Sequence, residues 1–89
     1  MERLKINFKG RVQGVGFRFH ALRIATDLNL TGSVKNLYDG SVEVYVQGSI
    51  ENINAFVREL YNQRFVRIES KDISKIDIKE DENSFEILY

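Results

Sequence analysis

Residues 4–30, LKINFKGRVQGVGFRFHALRIATDLNL, hold a strand, a glycine-rich loop and a helix in succession. Leu4, Ile6 and Phe8 alternate with polar residues, which is the two-residue period of a half-buried strand. Three glycines then fall within seven residues, which predicts a loop with unusual backbone dihedrals. The next twelve residues contain no glycine, and apolar residues recur at helical spacing, at Ala21, Ile24, Ala25 and Leu28. The stretch therefore predicts a strand–loop–helix unit.

Downstream of this unit, the sequence indicates further strands and one more helix. Residues 30–37 predict a second strand, Tyr38-Asp39-Gly40 signals a hairpin turn, and residues 41–47 predict a third strand whose valines face the core. Ser49 can cap a second helix, whose continuous apolar stripe contains Ile50, Ile53, Phe56, Val57, Leu60 and Tyr61. Two more strands are predicted, a fourth of undefined register around Ile73, Ile76 and Ile78, and a short last one at Phe85, Ile87 and Tyr89.

The resulting element order is β-α-β-β-α-β with an extra C-terminal strand. This order predicts the α+β fold class and a ferredoxin-like α/β sandwich, an antiparallel sheet with two helices on one face. No linker or repeat interrupts residues 1–89, so a single domain is expected. The Asp81-Glu82 run is expected in a solvated turn. Most of the six phenylalanines are expected in the core; the six are Phe8, Phe17, Phe19, Phe56, Phe65 and Phe85. The fold hosts many functions, so function must be argued from particular residues.

Composition excludes several classes of site and partner. The 13 basic and 13 acidic residues balance, which argues against a general nucleic-acid binder. Cys is absent and His20 is the single histidine, so disulfides, thiolate nucleophiles and clustered zinc ligands are excluded. No apolar run approaches the ~20 residues of a membrane span. We therefore expect a soluble, cytoplasmic domain with no metal, membrane or nucleic-acid partner, in which His20 is structural.

Basic residues are concentrated in the first third of the chain. No acidic residue occurs from Arg3 to Thr26, whereas six basic residues do, at Arg3, Lys5, Lys9, Arg11, Arg18 and Arg23. An anion bound in this stretch would meet no repulsion from carboxylates. A solvated basic face would produce the same pattern, so charge alone leaves both interpretations open.

The glycine-rich loop of residues 10–18 favours an anion site. Small residues let successive backbone N–H groups converge on an oxyanion, and the following helix adds free N–H groups and the positive end of its dipole. Arg18, at the helix entry, can bind two oxygens of a phosphoryl group with its planar guanidinium. The loop is neither a Walker sequence nor a dinucleotide fingerprint. A structural glycine turn beside a solvated arginine is the alternative.

Two stretches of the chain resemble the signature motifs of the acylphosphatase family. The first is Gly10-Arg11-Val12-Gln13-Gly14-Val15-Gly16-Phe17-Arg18, and the second is Gly32-Ser33-Val34-Lys35-Asn36-Leu37-Tyr38-Asp39-Gly40-Ser41-Val42. Gly48 and the ending of residues 84–89 are also similar to the family pattern, so the resemblance covers essentially the whole chain. The chain departs from that pattern at Ser33, where a large aromatic is usual, at Leu88, where a basic residue is common, and in lacking prolines after the second helix.

This resemblance implies an enzyme that hydrolyses acyl phosphates to a carboxylate and inorganic phosphate without a cofactor. Arg18 falls on the family's substrate-binding arginine, and Asn36 falls on its catalytic asparagine, which orients the attacking water. The amides that cradle the phosphate fall on Gln13, Gly14, Val15, Gly16 and Phe17. Inorganic phosphate, the product, is expected to act as an inhibitor, and the chain is expected to be a monomer.

These few groups suffice for the chemistry. A carboxylate leaving group has a conjugate acid with a pKa of about 4, so no general acid is needed. Arg18 and the loop amides can neutralise charge on the phosphoryl oxygens, and the Asn36 amide offers both a donor and an acceptor to orient water. The resemblance implies that a phosphate oxygen of the substrate takes the proton of that water.

Two other functions are alternatives to hydrolysis. An acylphosphatase-like domain also opens large hydrogenase-maturation carbamoyltransferases, so a non-catalytic or maturation-factor binding module is one alternative. The chain lacks zinc-finger-like and transferase segments, which favours a standalone enzyme. RNA binding on the sheet is disfavoured because residues 41–47 contain one aromatic and an acid rather than a basic, aromatic motif.

Overall fold

The computed structural model describes residues 1–89 and contains five strands and two helices. In chain order the elements are β1 (Glu2–Arg11), α1 (Phe17–Asp27), β2 (Thr31–Asn36), β3 (Val42–Gly48), α2 (Ile50–Tyr61), β4 (Arg67–Ile76) and β5 (Phe85–Leu88). The strands form one sheet in the order β4-β1-β3-β2-β5. The predicted fold class and element order are therefore confirmed. Neither helix is long and apolar enough to cross a bilayer.

The sheet is mixed, whereas the sequence predicted a wholly antiparallel one. Three strand pairs are antiparallel, but β5 runs parallel to β2, with Gly32 opposite Phe85 and Lys35 opposite Leu88. β4 and β5 lie at opposite edges, so residues 77–84 carry the chain across the sheet before β5 begins. The alternation of apolar residues in β5 predicts a strand there, but it does not predict whether that strand pairs parallel or antiparallel to its neighbour.

Both helices pack on one face of the sheet, where they build a single core. Ile24 from α1 and Phe56 from α2 belong to the same buried cluster as the inward-facing strand residues, which are Ile6, Phe8, Val34, Val42, Val44 and Val46. The prediction that the valines of β3 face the core is therefore confirmed. Ser49 caps α2 as predicted, because its hydroxyl oxygen accepts a hydrogen bond of 3.2 Å from the Asn52 amide.

A buried ion pair holds the crossing segment against the opposite face of the sheet. The Arg3 guanidinium lies 2.7 Å from a Glu82 carboxylate oxygen, and the two side chains are 9% and 12% exposed. Gln47 donates to the Lys79 carbonyl at 3.0 Å and accepts from the Lys79 amide at 2.8 Å. Glu82 was expected in a solvated turn, and that expectation is wrong because the crossing segment brings its carboxylate onto Arg3.

The structure refines the predictions for the phenylalanines and for the fourth strand. Four of the six phenylalanines are buried, as was expected for most of them, whereas Phe19 and Phe65 are 68% and 70% exposed. The fourth strand begins at Arg67, well before the predicted isoleucines, and Ile78 lies outside it. β4 is an edge strand that pairs only with β1, and eight of its ten residues are exposed, so it has no buried face to impose an apolar alternation.

Candidate active site

The loop between β1 and α1 has the backbone conformation that its glycines predicted. Gly14 and Gly16 have φ angles of 73° and 78°, in the left-handed region that favours glycine. Gly16 is also the N-cap residue directly before α1, and no side chain caps the helix there. The first-turn N–H groups of α1 therefore have no side-chain acceptor, and no acidic residue lies in that turn. A helix start of this kind favours an anion.

A small cavity joins this loop to the end of β2. It encloses about 150 Å³ and is lined by Val12, Gly14, Gly16, Phe17, Arg18, Phe19 and Asn36. The structure thus brings together Arg18 and Asn36, which are eighteen positions apart in the sequence and were singled out separately. No carboxylate lines the cavity, so its only charged side chain is the Arg18 guanidinium.

Arg18 is held by an aromatic ring and by no carboxylate. Its guanidinium carbon lies 5.0 Å from the centroid of the Tyr89 ring. None of the chain's four ion pairs involves Arg18, so its positive charge is not neutralised within the protein. Stacking on a ring orients a guanidinium and leaves its N–H donors free for a phosphoryl group. This contact was not predictable from local sequence, because it follows from the placement of β5 beside β2.

The side-chain amide of Asn36 lacks a full set of hydrogen bonds. It is the last residue of β2, and its side-chain oxygen Oδ1 is buried with no hydrogen-bond partner, the one such side-chain atom in the protein. A buried acceptor without a donor costs about 1–3 kcal/mol, so such an atom calls for an explanation, such as a bound water molecule or a catalytic role. An orphan amide on the wall of a polar cavity is positioned to bind a water molecule or a substrate.

Gln13 joins the glycine-rich loop to the hairpin that follows Asn36. Its side-chain nitrogen Nε2 donates to the carbonyl oxygens of Leu37 and Ser41, in both cases at 2.8 Å. The sequence predicted only a main-chain role for Gln13 in cradling phosphate. Neither Gln13 nor Val15 lines the cavity, so three members of the predicted cradle, Gly14, Gly16 and Phe17, form its wall.

The hairpin turn has its own internal support. The Asp39 carboxylate accepts from the Ser41 amide at 3.0 Å and also from the Ser41 hydroxyl. These hydrogen bonds lower the pKa of Asp39, with a smaller contribution from the nearby charge of Lys9. Asn7 in β1 donates to the Ser41 hydroxyl oxygen at 3.0 Å, so the turn is tied to β1 as well as to Gln13.

His20 lies outside this constellation. It does not line the cavity, and its Nδ1 atom is 3.4 Å from a guanidinium nitrogen of Arg23. Partial burial, together with the charge of Arg23, lowers the pKa of His20. Because the ring does not line the cavity, we assign it no role as a base there. No group of three or more His, Asp or Glu side chains is arranged to hold a metal ion.

Comparison with known proteins assigns the chain to a family. The sequence model of the acylphosphatase family matches residues 4–87. An acylphosphatase from Clostridium acetobutylicum is 43% identical over 90 aligned positions, covering 100% of this chain and 99% of the relative. The crystal structure of an acylphosphatase from Bacillus subtilis superposes with a TM-score of 0.92 at 33% identity, and the match covers both chains completely.

A larger protein contains the same fold as one part of its chain. The structure of full-length HypF in the phosphate- and nucleotide-bound form matches 99% of this chain with a TM-score of 0.89 and 31% identity, but the match covers only 12% of that protein. The relatives matched over their whole length are acylphosphatases, so the alternative of a maturation module is not favoured. The chain belongs to the acylphosphatase family, a family of hydrolases that act on acyl phosphates.

Proposed function

We propose that the cavity between Arg18 and Asn36 is where this chain hydrolyses acyl phosphates. The observation that carries the proposal is the orphan Asn36 oxygen in a cavity whose only charged side chain is an unpaired arginine. In this assignment the phosphoryl group binds to Arg18, to the first-turn N–H groups of α1 and to the loop amides of residues 13–17. The distributed donors match a phosphoryl group, which presents several oxygens at once.

Hydrolysis then requires one displacement at phosphorus. A water oxygen, oriented by the Asn36 amide, forms a bond to phosphorus while the bond from phosphorus to the acyl oxygen breaks. The electron pair of that bond leaves with the carboxylate, and the water proton passes to a phosphoryl oxygen of the substrate. Arg18 and the N–H groups stabilise the charge on the phosphoryl oxygens, which is the main contribution that a protein makes to phosphoryl transfer.

The proposed reaction needs neither a general acid nor a metal ion. Carboxylates leave unprotonated at neutral pH because their conjugate acids have a pKa of about 4. A loose transition state asks for orientation of the water more than for its deprotonation, and an uncharged amide can supply that orientation. We therefore propose a metal-independent reaction, carried out by a cytoplasmic monomer and inhibited competitively by inorganic phosphate.

The test is phosphate release from acetyl phosphate by the purified chain with a metal chelator present. Activity should persist in chelator and be lost in Arg18→Ala. A matched control is His20→Ala, which removes a neighbouring side chain of α1 that does not line the cavity and should retain activity. Loss of activity in chelator with rescue by a divalent ion, or equal loss in both variants, would show that the proposed mechanism is wrong.

A further inference from the structure

Phe19 is the only exposed apolar side chain on the wall of the phosphate cavity. The other apolar wall residues, Val12 and Phe17, are 1% and 2% exposed and belong to the core, whereas Phe19 is 68% exposed. It sits in the first turn of α1, directly after Arg18. Single exposed hydrophobic residues are ordinary on protein surfaces, but one at the mouth of a polar cavity can contact the part of a ligand that extends out of it.

We propose that Phe19 binds the acyl group of the substrate and gives the site a preference for acyl phosphates with a flat, apolar acyl group. This inference rests on the proposed function. With the phosphoryl end bound at Arg18 inside the cavity, the acyl end extends from it toward the rim, where Phe19 is exposed. The Phe19 ring offers apolar surface there, and an aromatic or other apolar acyl group that covers the ring removes both surfaces from water.

The direction of the displacement favours Phe19 over a second apolar surface nearby. A neighbouring groove of about 430 Å³ is lined by Lys35, Asn36, Leu37, Tyr38 and Tyr89. That groove begins at Asn36, where the attacking water lies in the proposed mechanism. In an in-line displacement the leaving oxygen departs on the side of phosphorus opposite the water. The acyl group is therefore expected away from the groove, which leaves Phe19 as its apolar contact.

The chain offers a closely matched control for this inference. Phe65 is 70% exposed, almost the same fraction as Phe19, but it lies between α2 and β4 and does not line the cavity. The measured quantity is the ratio of kcat/KM for benzoyl phosphate to kcat/KM for acetyl phosphate. Acetyl phosphate has the same reacting atoms but carries only a methyl group to contact the ring.

In Phe19→Ala the ratio should fall about two- to tenfold, the factor that corresponds to losing one aromatic contact of about 0.5–1.5 kcal/mol. Phe19→Tyr should preserve the ratio because it keeps the ring, and Phe65→Ala should leave the ratio at the parent value. An unchanged ratio in Phe19→Ala would overturn the inference, as would an equal fall in Phe65→Ala or a fall confined to Tyr38→Ala. If the parent hydrolyses neither substrate, the proposed function itself is wrong, so the two failures are distinguishable.

Discussion

Replacing Gln13 with methionine removes the donor that joins the glycine-rich loop to the β2–β3 hairpin while keeping the length of the side chain. Two hydrogen bonds of 2.8 Å are lost, to the carbonyl oxygens of Leu37 and Ser41. Each carbonyl keeps one other partner, because Leu37 accepts from the Gly40 amide and Ser41 accepts from the Leu37 amide. The change therefore removes two bonds without leaving either acceptor orphaned.

The expected loss of stability follows from those two bonds. At about 0.5–1.5 kcal/mol each, the free energy of unfolding should fall by about 1–3 kcal/mol. In a domain of this size, 1 kcal/mol shifts Tm by about 4–8 °C, so a loss near 2 kcal/mol lowers Tm by about 8–16 °C. Because the hairpin starts at the residue after Asn36, kcat should also fall, by about tenfold or more, while the Kd for phosphate changes less.

Calorimetry of Gln13→Met, with kinetics recorded well below its Tm, measures both effects. The matched control is Gln63→Met, which removes two exposed side-chain hydrogen bonds, one of 3.0 Å to the Glu59 carbonyl and one of 3.2 Å from the Arg23 guanidinium, and should change Tm by only a few degrees. Gln13→Glu should be more damaging than Gln13→Met, since a carboxylate would face two carbonyl oxygens. A Gln13→Met protein with the parent Tm and the parent kcat would refute the assignment of Gln13 as the residue that positions the hairpin.

Three further predictions concern the two polar side chains of the cavity wall and the binding of phosphate there. Asn36→Ala should lower kcat by about 10²–10³-fold while the Kd for phosphate, measured by calorimetric titration, stays near the parent value. A large increase in that Kd would mean that Asn36 holds the phosphoryl group rather than the water. Arg18→Lys should weaken phosphate binding and lower kcat/KM together, because an ammonium cannot reproduce the two-pronged guanidinium; full activity in this variant would contradict bidentate binding. Inorganic phosphate at ten times its Kd should stabilise the chain by about 1.4 kcal/mol and raise Tm by about 6–11 °C, and a melting curve that phosphate leaves unmoved would rule out the loop as an anion site.

The two side chains of the proposed site were predicted from the sequence in different ways. Glycines at positions 14 and 16 predicted unusual backbone dihedrals in the loop before the first helix, and both residues have positive φ angles, of 73° and 78°. Arg18 was singled out by its place at the start of that helix, whereas Asn36 was assigned only through the resemblance to the acylphosphatase motifs. Their meeting in one cavity needed only the ferredoxin-like order of elements, in which β1 and β2 flank β3.

Contacts that depend on register or on chain path were not predictable in the same way. Tyr89 reaches Arg18 because β5 runs parallel to β2, and an alternating pattern cannot specify the direction of its partner. The burial of Glu82 on Arg3 depends on where residues 77–84 cross the sheet. That Phe19 is one of the exposed phenylalanines was not predictable, since hydrophobicity alone does not distinguish a residue that packs inward from one on the rim of a cavity.

The order of strands in the sheet also bears on how the site is assembled during folding. Only β2 and β3 are neighbours both in sequence and in the sheet, whereas β1 must pair with β3 and β4, and β5 must reach β2 from the far edge. Pairings between distant segments close large loops and therefore form slowly. The β2–β3 hairpin, with Asn36 near its turn, can form early, but the start of α1, which carries Arg18, meets it only when β1 docks on β3. We therefore expect the proposed phosphate site to be completed late in folding, so that bound phosphate would act mainly by slowing the unfolding of the finished domain.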